Sequence, residues 1–125
     1  MLKIRDFTRL AGIHGDLLRV ILLTANNGAE FMVLEGIRTL ERQKELFAKR
    51  ATRTLNSRHL TGHAVDIAPL DDLGAPSWHW PQYDILAVAV KLAATQLSIP
   101  VIWGGDWVNF RDGPHWELPW NKYPK

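Results

Sequence analysis

The chain lacks cysteine altogether, and this absence restricts the metal chemistry that it can perform. Neither a disulfide framework nor a thiolate metal site can form, so any zinc must be held by His, Asp or Glu. Such donors favour a catalytic rather than a structural zinc site. Because a chain without cysteine is compatible with both a reducing and an oxidising compartment, cysteine usage leaves the location open.

Long apolar runs are also missing from the sequence. The most apolar early segment, residues 17–25, is less than half of the roughly 20 residues that a membrane span requires. Charged residues precede it, and the flanks of a signal peptide are absent. We therefore expect no stable membrane insertion and no signal peptide.

Net charge is small, at +2, and gives no reason to expect nucleic acid as a partner. The charges are nevertheless uneven, since residues 38–58 contain seven basic residues and two acidic ones. This basic segment has two interpretations: a solvated helix face with its loop, or a surface that attracts an anionic polymer such as cell wall or nucleic acid.

The length and composition predict one soluble globular domain over residues 1–125, because 125 residues are too few for two independent cores. Helical patterns cover residues 17–25, 40–50 and 81–97, with Asp16 and Thr39 as N-caps of the first two. Strand-like runs cover residues 31–34, 64–68, 100–103 and 115–118. Because helices and strands do not alternate strictly, we expect an α+β fold with a small antiparallel sheet flanked by about three helices.

Two polar motifs contain the residues that we expect to bind metal. In the strand predicted over 64–68, alternation places Asp66 on one face and His63 on the other, so these two should not share an ion. Gly62 provides a turn that brings the preceding His59 back over the Asp66 face. Two imidazoles and a carboxylate meet the requirements of catalytic zinc, so we predict one ion held by His59, Asp66 and His115.

The second motif surrounds His115. Alternation places Glu117 on the same face as His115, where it would orient the imidazole or contact substrate. The Gly113-Pro114 pair bends the chain just before His115, which lets the carboxylate of Asp112 fold back toward the attacking water. A general base is needed at that position.

Several segments resemble the D,D-carboxypeptidase/L-alanyl-D-glutamate peptidase family of zinc peptidases. The stretch SRHLTGHAVD is similar to the family signature SxHxxGxAxD. GIRT with the following Gln43 is similar to a second family motif, and WGGDW followed by DGPHWEL resembles the C-terminal block of the phage-endolysin branch. Together these matches cover residues 17–118 in order and spacing.

The resemblance implies roles for particular residues. The family's zinc ligands fall on His59, Asp66 and His115. Its GxR arginine falls on Arg38, which would stabilise the oxyanion, and Ser57 and Gln43 would support the site. Other branches have a glutamate as general base where this chain has Asp112, a shorter carboxylate.

The resemblance further implies a hedgehog/D,D-peptidase-like fold and hydrolysis of the L-Ala to D-Glu bond in the peptidoglycan stem peptide during host-cell lysis. We expect synthesis in the host cytoplasm, release through a holin-type pore, and a monomer without a nucleic-acid partner. The alternatives are a D,D- or L,D-carboxypeptidase that trims stem peptides, a zinc-containing cell-wall-binding module without activity, and a nucleic-acid-binding protein that uses the basic segment.

Overall fold

The computed structural model of the chain describes residues 1–52 and 54–125; Arg53, a member of the basic segment, lies outside the described residues. The helices are α1 (Ile4–Leu10), α2 (Gly15–Asn26), α3 (Leu40–Ala48) and α4 (Trp80–Leu97). The strands are β1 (Phe31–Glu35), β2 (Ala64–Pro69), β3 (Ile102–Trp103) and β4 (His115–Glu117). Two 3₁₀ turns, Arg58–Thr61 and Gly104–Asp106, precede β2 and follow β3.

The four strands form one sheet in the order β1-β2-β4-β3, and each neighbouring pair is antiparallel. This architecture confirms the predicted α+β class and the antiparallel sheet. Val65 and Ile67 of β2 are fully buried and belong to the same core as apolar residues of α2 and α4. Asp66, which lies between them along the strand, therefore points to the other face of the sheet.

The helix starts agree with the sequence for α3 but differ for α2. The Thr39 side chain accepts a hydrogen bond from the Arg42 amide at 3.1 Å and caps α3 as predicted. The N-cap of α2 is His14, not Asp16: its Nδ1 accepts from the Asp16 amide at 3.0 Å. An imidazole acceptor replaces the expected carboxylate because the helix begins one residue before Asp16, at Gly15.

The short helix α1 was not predicted. It has seven residues, and one of its two buried side chains, Asp6 and Leu10, is a carboxylate, so the sequence shows no apolar stripe there. Its position depends instead on the Asp6 carboxylate, which accepts hydrogen bonds from the amides of Lys3 at 2.7 Å and Val33 at 2.8 Å. This carboxylate ties α1 to β1, a long-range contact that local sequence patterns do not reveal.

The longest helix, α4, has 18 residues and begins at Trp80, close to the predicted start. Its buried side chains include Leu86, Val90 and Ala93, which pack in the core beside the sheet. Across the parts of the chain that the structure describes, no helix is both long and apolar enough to cross a membrane.

Candidate metal centre and active-site cleft

The pairing of β2 with β4 creates the candidate metal centre. In this antiparallel register Asp66 lies opposite His115, and Ala64 lies opposite Glu117. Opposing residues of an antiparallel pair place their side chains on the same face, at close separation. The sheet register therefore brings together one carboxylate and one imidazole that are far apart in the sequence.

His59 reaches the same face through the turn that precedes β2. The Ser57 side chain accepts from the His59 amide at 3.1 Å and starts the 3₁₀ turn, and Gly62 ends it with a φ of 76°. A Cβ atom at Gly62 would lie 2.6 Å from the Gly12 carbonyl oxygen, so both the backbone conformation and the available space require glycine. This geometry explains the turn that the sequence predicted at Gly62.

Three donor atoms converge at this point. Asp66 Oδ1 lies 3.1 Å from His59 Nε2 and 3.3 Å from His115 Nδ1, and all three potential ligand atoms lie within 4.8 Å of one another. Among the described residues this is the one group of three or more His, Asp or Glu side chains that could hold a metal ion.

The second ring nitrogen of each histidine is already bonded to a protein acceptor. His59 Nδ1 lies 2.7 Å from the Gly36 carbonyl oxygen, and His115 Nε2 lies 2.8 Å from Glu117 Oε1. These acceptors favour a proton on His59 Nδ1 and His115 Nε2. The lone pairs of His59 Nε2 and His115 Nδ1 are then directed at the Asp66 carboxylate. Lone pairs facing a carboxylate require a cation between them, so the donor set fits a divalent metal.

The pKa values of Asp66 and His115 also indicate that a positive charge is favoured between the three side chains. Burial alone would raise the pKa of Asp66, but the charges of His59 and His115 and their hydrogen bonds hold it well below its usual range. Burial would lower the pKa of His115, yet hydrogen bonds to Asp66 and Glu117 and the nearby carboxylate charges raise it to about 9. Without a metal a proton therefore occupies this position, and metal binding would displace it.

The candidate centre lies in a cleft of about 540 Å³. Its lining includes residues that the sequence singled out and aromatic residues from the C-terminal part of the chain: Arg38, Ser57, His59, Asp66, Asp112, His115, Glu117, Trp107, Phe110 and Trp120. Trp107 packs its ring 5.2 Å from that of His115. Trp80 and Trp103 do not line the cleft; their rings stack with centroids 6.4 Å apart, and Trp78 is 67% exposed.

Asp112 lies beside the metal group, where the bend before His115 was predicted to place it. Its amide donates to the Gly104 carbonyl at 3.0 Å, and its own carbonyl accepts from the His115 amide at 3.2 Å. Burial, together with the negative charge of Asp66, raises the pKa of Asp112. A carboxyl group with a raised pKa is a better proton acceptor than an ordinary exposed aspartate.

Arg38 lines the cleft, and hydrogen bonds to Glu35 and Gln43 fix its guanidinium. Its Nε donates to Glu35 Oε1 at 2.9 Å, its Nη2 also bonds to that oxygen, and its Nη1 donates to Gln43 Oε1 at 2.7 Å. Nη2 lies 3.7 Å from Asp66 Oδ2, which places the guanidinium next to the metal group.

Gln43 is fully buried and links this arginine to the loop that precedes the 3₁₀ turn. Its Oε1 accepts from Arg38, while its Nε2 donates to the Thr54 carbonyl at 2.5 Å. Gln43 therefore connects the guanidinium of Arg38 to this loop and does so without exposure to solvent.

Glu35 is the site residue that sequence reasoning missed. Strict alternation along β1 would place it with Val33 in the core, but a bulge between these residues pairs Glu35 with Asp66 and turns it to the cleft face. An acidic residue at the end of an apolar strand, directly before the GIR motif, was the available signal. The bulge itself has no signature that the sequence reveals.

His63 lies on the other side of β2 from the metal group, as the strand alternation predicted. Its Nδ1 is 2.6 Å from Thr61 Oγ1, and its ring centroid lies 5.4 Å from that of His14. The basic segment, residues 38–58, does not form one uniform basic surface. Arg38 lies next to the metal group, and Arg58 is buried.

The fold is that of the D,D-peptidases. The crystal structure of the vancomycin-resistance D,D-dipeptidase VanXYg aligns with 85% of this chain and 50% of its own, with a TM-score of 0.55 and 18% identity, a likeness that shows the fold alone. A family model described as phage L-alanyl-D-glutamate peptidase matches residues 2–118. The chain belongs to this family.

Individual relatives agree with this assignment. Over 78% of its own length, the chain is 33% identical to the L-alanyl-D-glutamate peptidase of Listeria phage A118. Over 75% of its own length, it is 32% identical to the peptidoglycan L-alanyl-D-glutamate endopeptidase CwlK of Bacillus subtilis (strain 168). The matches span 34% and 64% of these two relatives, respectively. The crystal structure of the Serratia marcescens L-Ala D-Glu endopeptidase ChiX aligns with 100% of this chain and 95% of its own, with 42% identity and a TM-score of 0.92.

Proposed function

We propose that this chain is a zinc-dependent peptidoglycan hydrolase that cleaves the L-Ala to D-Glu bond of the cell-wall stem peptide. The observation that carries the proposal is the convergence of His59, Asp66 and His115 within 4.8 Å, in a cleft also lined by Arg38 and Asp112. Membership of the phage L-alanyl-D-glutamate peptidase family, together with the endopeptidase activity for which CwlK and ChiX are named, supports the choice of bond.

One zinc ion per chain is the metal that we assign to the three donors. Two imidazole nitrogens and a carboxylate oxygen are the ligands of catalytic zinc, which keeps a further position for water or substrate. A zinc ion bound there would act as a Lewis acid that activates water and polarises the scissile carbonyl.

The protein's own residues supply the remaining functions. Asp112 accepts the proton of the attacking water and passes it to the leaving amine. Arg38 directs its remaining Nη1 and Nη2 N–H groups at the scissile carbonyl oxygen, where negative charge develops. Glu117 orients His115 through the 2.8 Å contact, and Ser57 fixes the backbone of His59.

The setting that we propose is lysis of a bacterial host by a monomeric enzyme. The relative in Listeria phage A118 supports a viral origin for this activity. On this proposal the protein is made in the host cytoplasm, reaches the wall through a holin-type pore, and has the stem peptide rather than nucleic acid as its partner.

Mass spectrometry of digested muropeptides tests the proposal. Purified zinc-loaded protein should release stem peptides that begin at D-Glu, whereas free D-Ala would identify a carboxypeptidase instead. An absence of new amino termini, with retention of the protein on the wall, would identify a binding module. Asp112→Ala protein provides the control, since it should bind zinc and release no peptide.

A further inference from the structure

The last seven residues, 119–125, lie beyond the family match at 2–118 but are attached to the site. The Arg58 guanidinium donates to the Leu118 carbonyl at 2.9 Å and to the Tyr123 carbonyl at 2.6 Å. Tyr123 Oη donates to Asp16 Oδ2 at 2.7 Å, and Lys125 Nζ donates to Asn56 Oδ1 at the same distance. These bonds hold the C-terminal tail across the start of the 3₁₀ turn that carries His59.

The tail places Trp120 in the wall of the cleft. Its ring lies over the Arg58 guanidinium, 4.3 Å from carbon to ring centroid, and the residue remains 40% exposed. Because Arg58 is 2% exposed and fixed by two carbonyls, it forms a rigid support for the indole. The exposed part of the ring is therefore an ordered apolar surface near the metal centre.

Charge decides which ligands suit this surface. An indole attracts one cation readily, but Arg58 already covers its ring and Lys125 Nζ lies 5.6 Å from it. A third cation, such as the ammonium group of a diamino acid in the stem peptide, would meet repulsion. An anion is disfavoured on the ring face as well, because the face of the indole π-system is negative. The remaining candidates are neutral groups that present C–H bonds, and in peptidoglycan the largest of these is the sugar ring.

We propose that Trp120 is a positioning residue that stacks on the N-acetylmuramoyl sugar bearing the stem peptide. The inference rests on the proposed function, because the sugar is joined through its lactyl group to the L-Ala whose carbonyl is attacked. One residue spans at most about 3.6 Å, so the sugar lies one residue and a short ether link from the metal centre. The tail beyond the family match thereby makes the enzyme selective for stem peptides still attached to glycan.

Two matched substrates test this assignment: N-acetylmuramoyl-L-Ala-γ-D-Glu-diaminopimelate and N-acetyl-L-Ala-γ-D-Glu-diaminopimelate, a sugar-free tripeptide in which an acetyl group keeps the L-Ala nitrogen as an uncharged amide. Zinc-loaded wild type should prefer the muramoyl substrate. Trp120→Leu should lose that preference through a rise in KM, with kcat/KM on the muramoyl substrate falling about fivefold to tenfold, as expected for one stacking contact. On the sugar-free tripeptide the variant should equal wild type.

Controls separate positioning from damage to the fold. Trp78→Leu removes another exposed indole, outside the cleft, and should change neither substrate's kinetics. Zinc content of Trp120→Leu should match wild type, and its unfolding temperature should fall only by the few degrees that loss of the contact with Arg58 explains. An equal loss on both substrates, or no loss on either, would overturn the sugar assignment.

A binding experiment distinguishes failure of this inference from failure of the proposed function. The indole N–H signal of Trp120, assigned by its disappearance in Trp120→Leu, should shift when zinc-loaded protein is titrated with the disaccharide N-acetylglucosaminyl-N-acetylmuramic acid. A shift without cleavage of either substrate would reject the hydrolase proposal and keep the sugar site. Because a single stacking contact of this strength binds weakly, the titration extends to about 0.1 M disaccharide. An unchanged signal at that concentration would reject the sugar site, whatever the enzyme cleaves.

Discussion

At the scale of single residues, the two aspartates of the cleft have opposite protonation tendencies. The neighbouring histidines hold the pKa of Asp66 below its usual range, while burial and the charge of Asp66 raise that of Asp112. Neighbouring carboxyl groups whose pKa values are separated in this way take different roles in an active site. Asp66 is suited to a permanent charge beside a metal, and Asp112 to accepting and releasing a proton.

Replacing Asp112 should therefore separate metal binding from turnover. Asp112→Ala should bind one equivalent of zinc and lose about 10²-fold to 10⁴-fold in kcat, the usual contribution of a general base. Zinc content by atomic emission and kcat on a muramoyl peptide measure the two effects. Full activity in this variant would disprove the assignment of the base.

Glu35 should act through Arg38 rather than on the substrate. Glu35→Gln weakens the charge-assisted hydrogen bonds that fix the guanidinium, so we expect kcat to fall about 10-fold to 100-fold with zinc binding intact. The matched control is Glu45→Gln, which removes an exposed carboxylate that pairs with Arg42. Equal kinetics in the two variants would show that Glu35 does not position Arg38.

His63 should make the fold sensitive to acid. Burial, with the charges of Arg58 and His14, lowers the pKa of His63, so the folded state disfavours its protonation. Its contribution to stability is then complete above the ordinary histidine pKa of 6.5 and decreases below it. Below that value, the contribution of His63 to the free energy of unfolding of zinc-free protein should fall by up to about 1.4 kcal/mol per pH unit.

Urea titrations at pH 7 and pH 5.5 measure this effect. His115 contributes a change of the opposite sign over this interval, because its pKa is raised and acid therefore stabilises the fold until the unfolded imidazole is fully protonated. Comparison with His63→Gln removes this shared contribution: as the pH falls from 7 to 5.5, wild type should lose more stability, or gain less, than the variant. Equal changes in the two proteins would show that His63 is not responsible.

At the scale of elements, the site depends on one turn and one bulge. Gly62→Ala should destabilise the protein more than an ordinary left-handed glycine replacement, because its Cβ would lie 2.6 Å from the Gly12 carbonyl oxygen. Gly74→Ala is the control, since Gly74 has a φ of +80° and no heavy atom within 4 Å of its Cβ position. We expect about 1 kcal/mol for Gly74→Ala and a further 1–3 kcal/mol for Gly62→Ala.

Thermal unfolding measures the loss of stability in both variants, and zinc titration measures their affinity for the metal. A displaced turn moves His59, so Gly62→Ala should also bind zinc more weakly, whereas Gly74→Ala should bind it normally. Similar stability in the two variants would indicate that the backbone near Gly12 moves away without cost.

The sequence alone predicted the elements whose side chains repeat with the regular spacing of a helix or a strand. Alternation separated Asp66 from His63 along β2 and grouped Glu117 with His115 along β4, and the pairing of the two strands puts these groups on one face. The cap at Thr39 predicted the start of α3. The features that it missed depend on contacts across the chain. Asp6 fixes α1 through the Val33 amide, and the β1 bulge turns Glu35 toward the cleft.

At the scale of the whole molecule, zinc should stabilise the fold. A ligand that binds the folded state alone adds about 2.7 kcal/mol at a concentration 100 times its Kd, which corresponds to a rise in unfolding temperature of about 10 °C for a domain of this size. Scanning calorimetry with and without a chelator measures the shift. His59→Ala, Asp66→Ala and His115→Ala should bind no zinc and show no shift; a full shift in any of them would remove that residue from the ligand set.

The candidate ligands Asp66 and His115 are separated by 49 positions in the chain and meet through the pairing of β2 with β4. During synthesis the ribosome adds His59 and Asp66 long before it adds His115. The nascent chain therefore carries an incomplete coordination sphere until its last strand pairs. A polypeptide that ends before β4 should therefore be unable to complete the candidate zinc site, whatever else of it is folded.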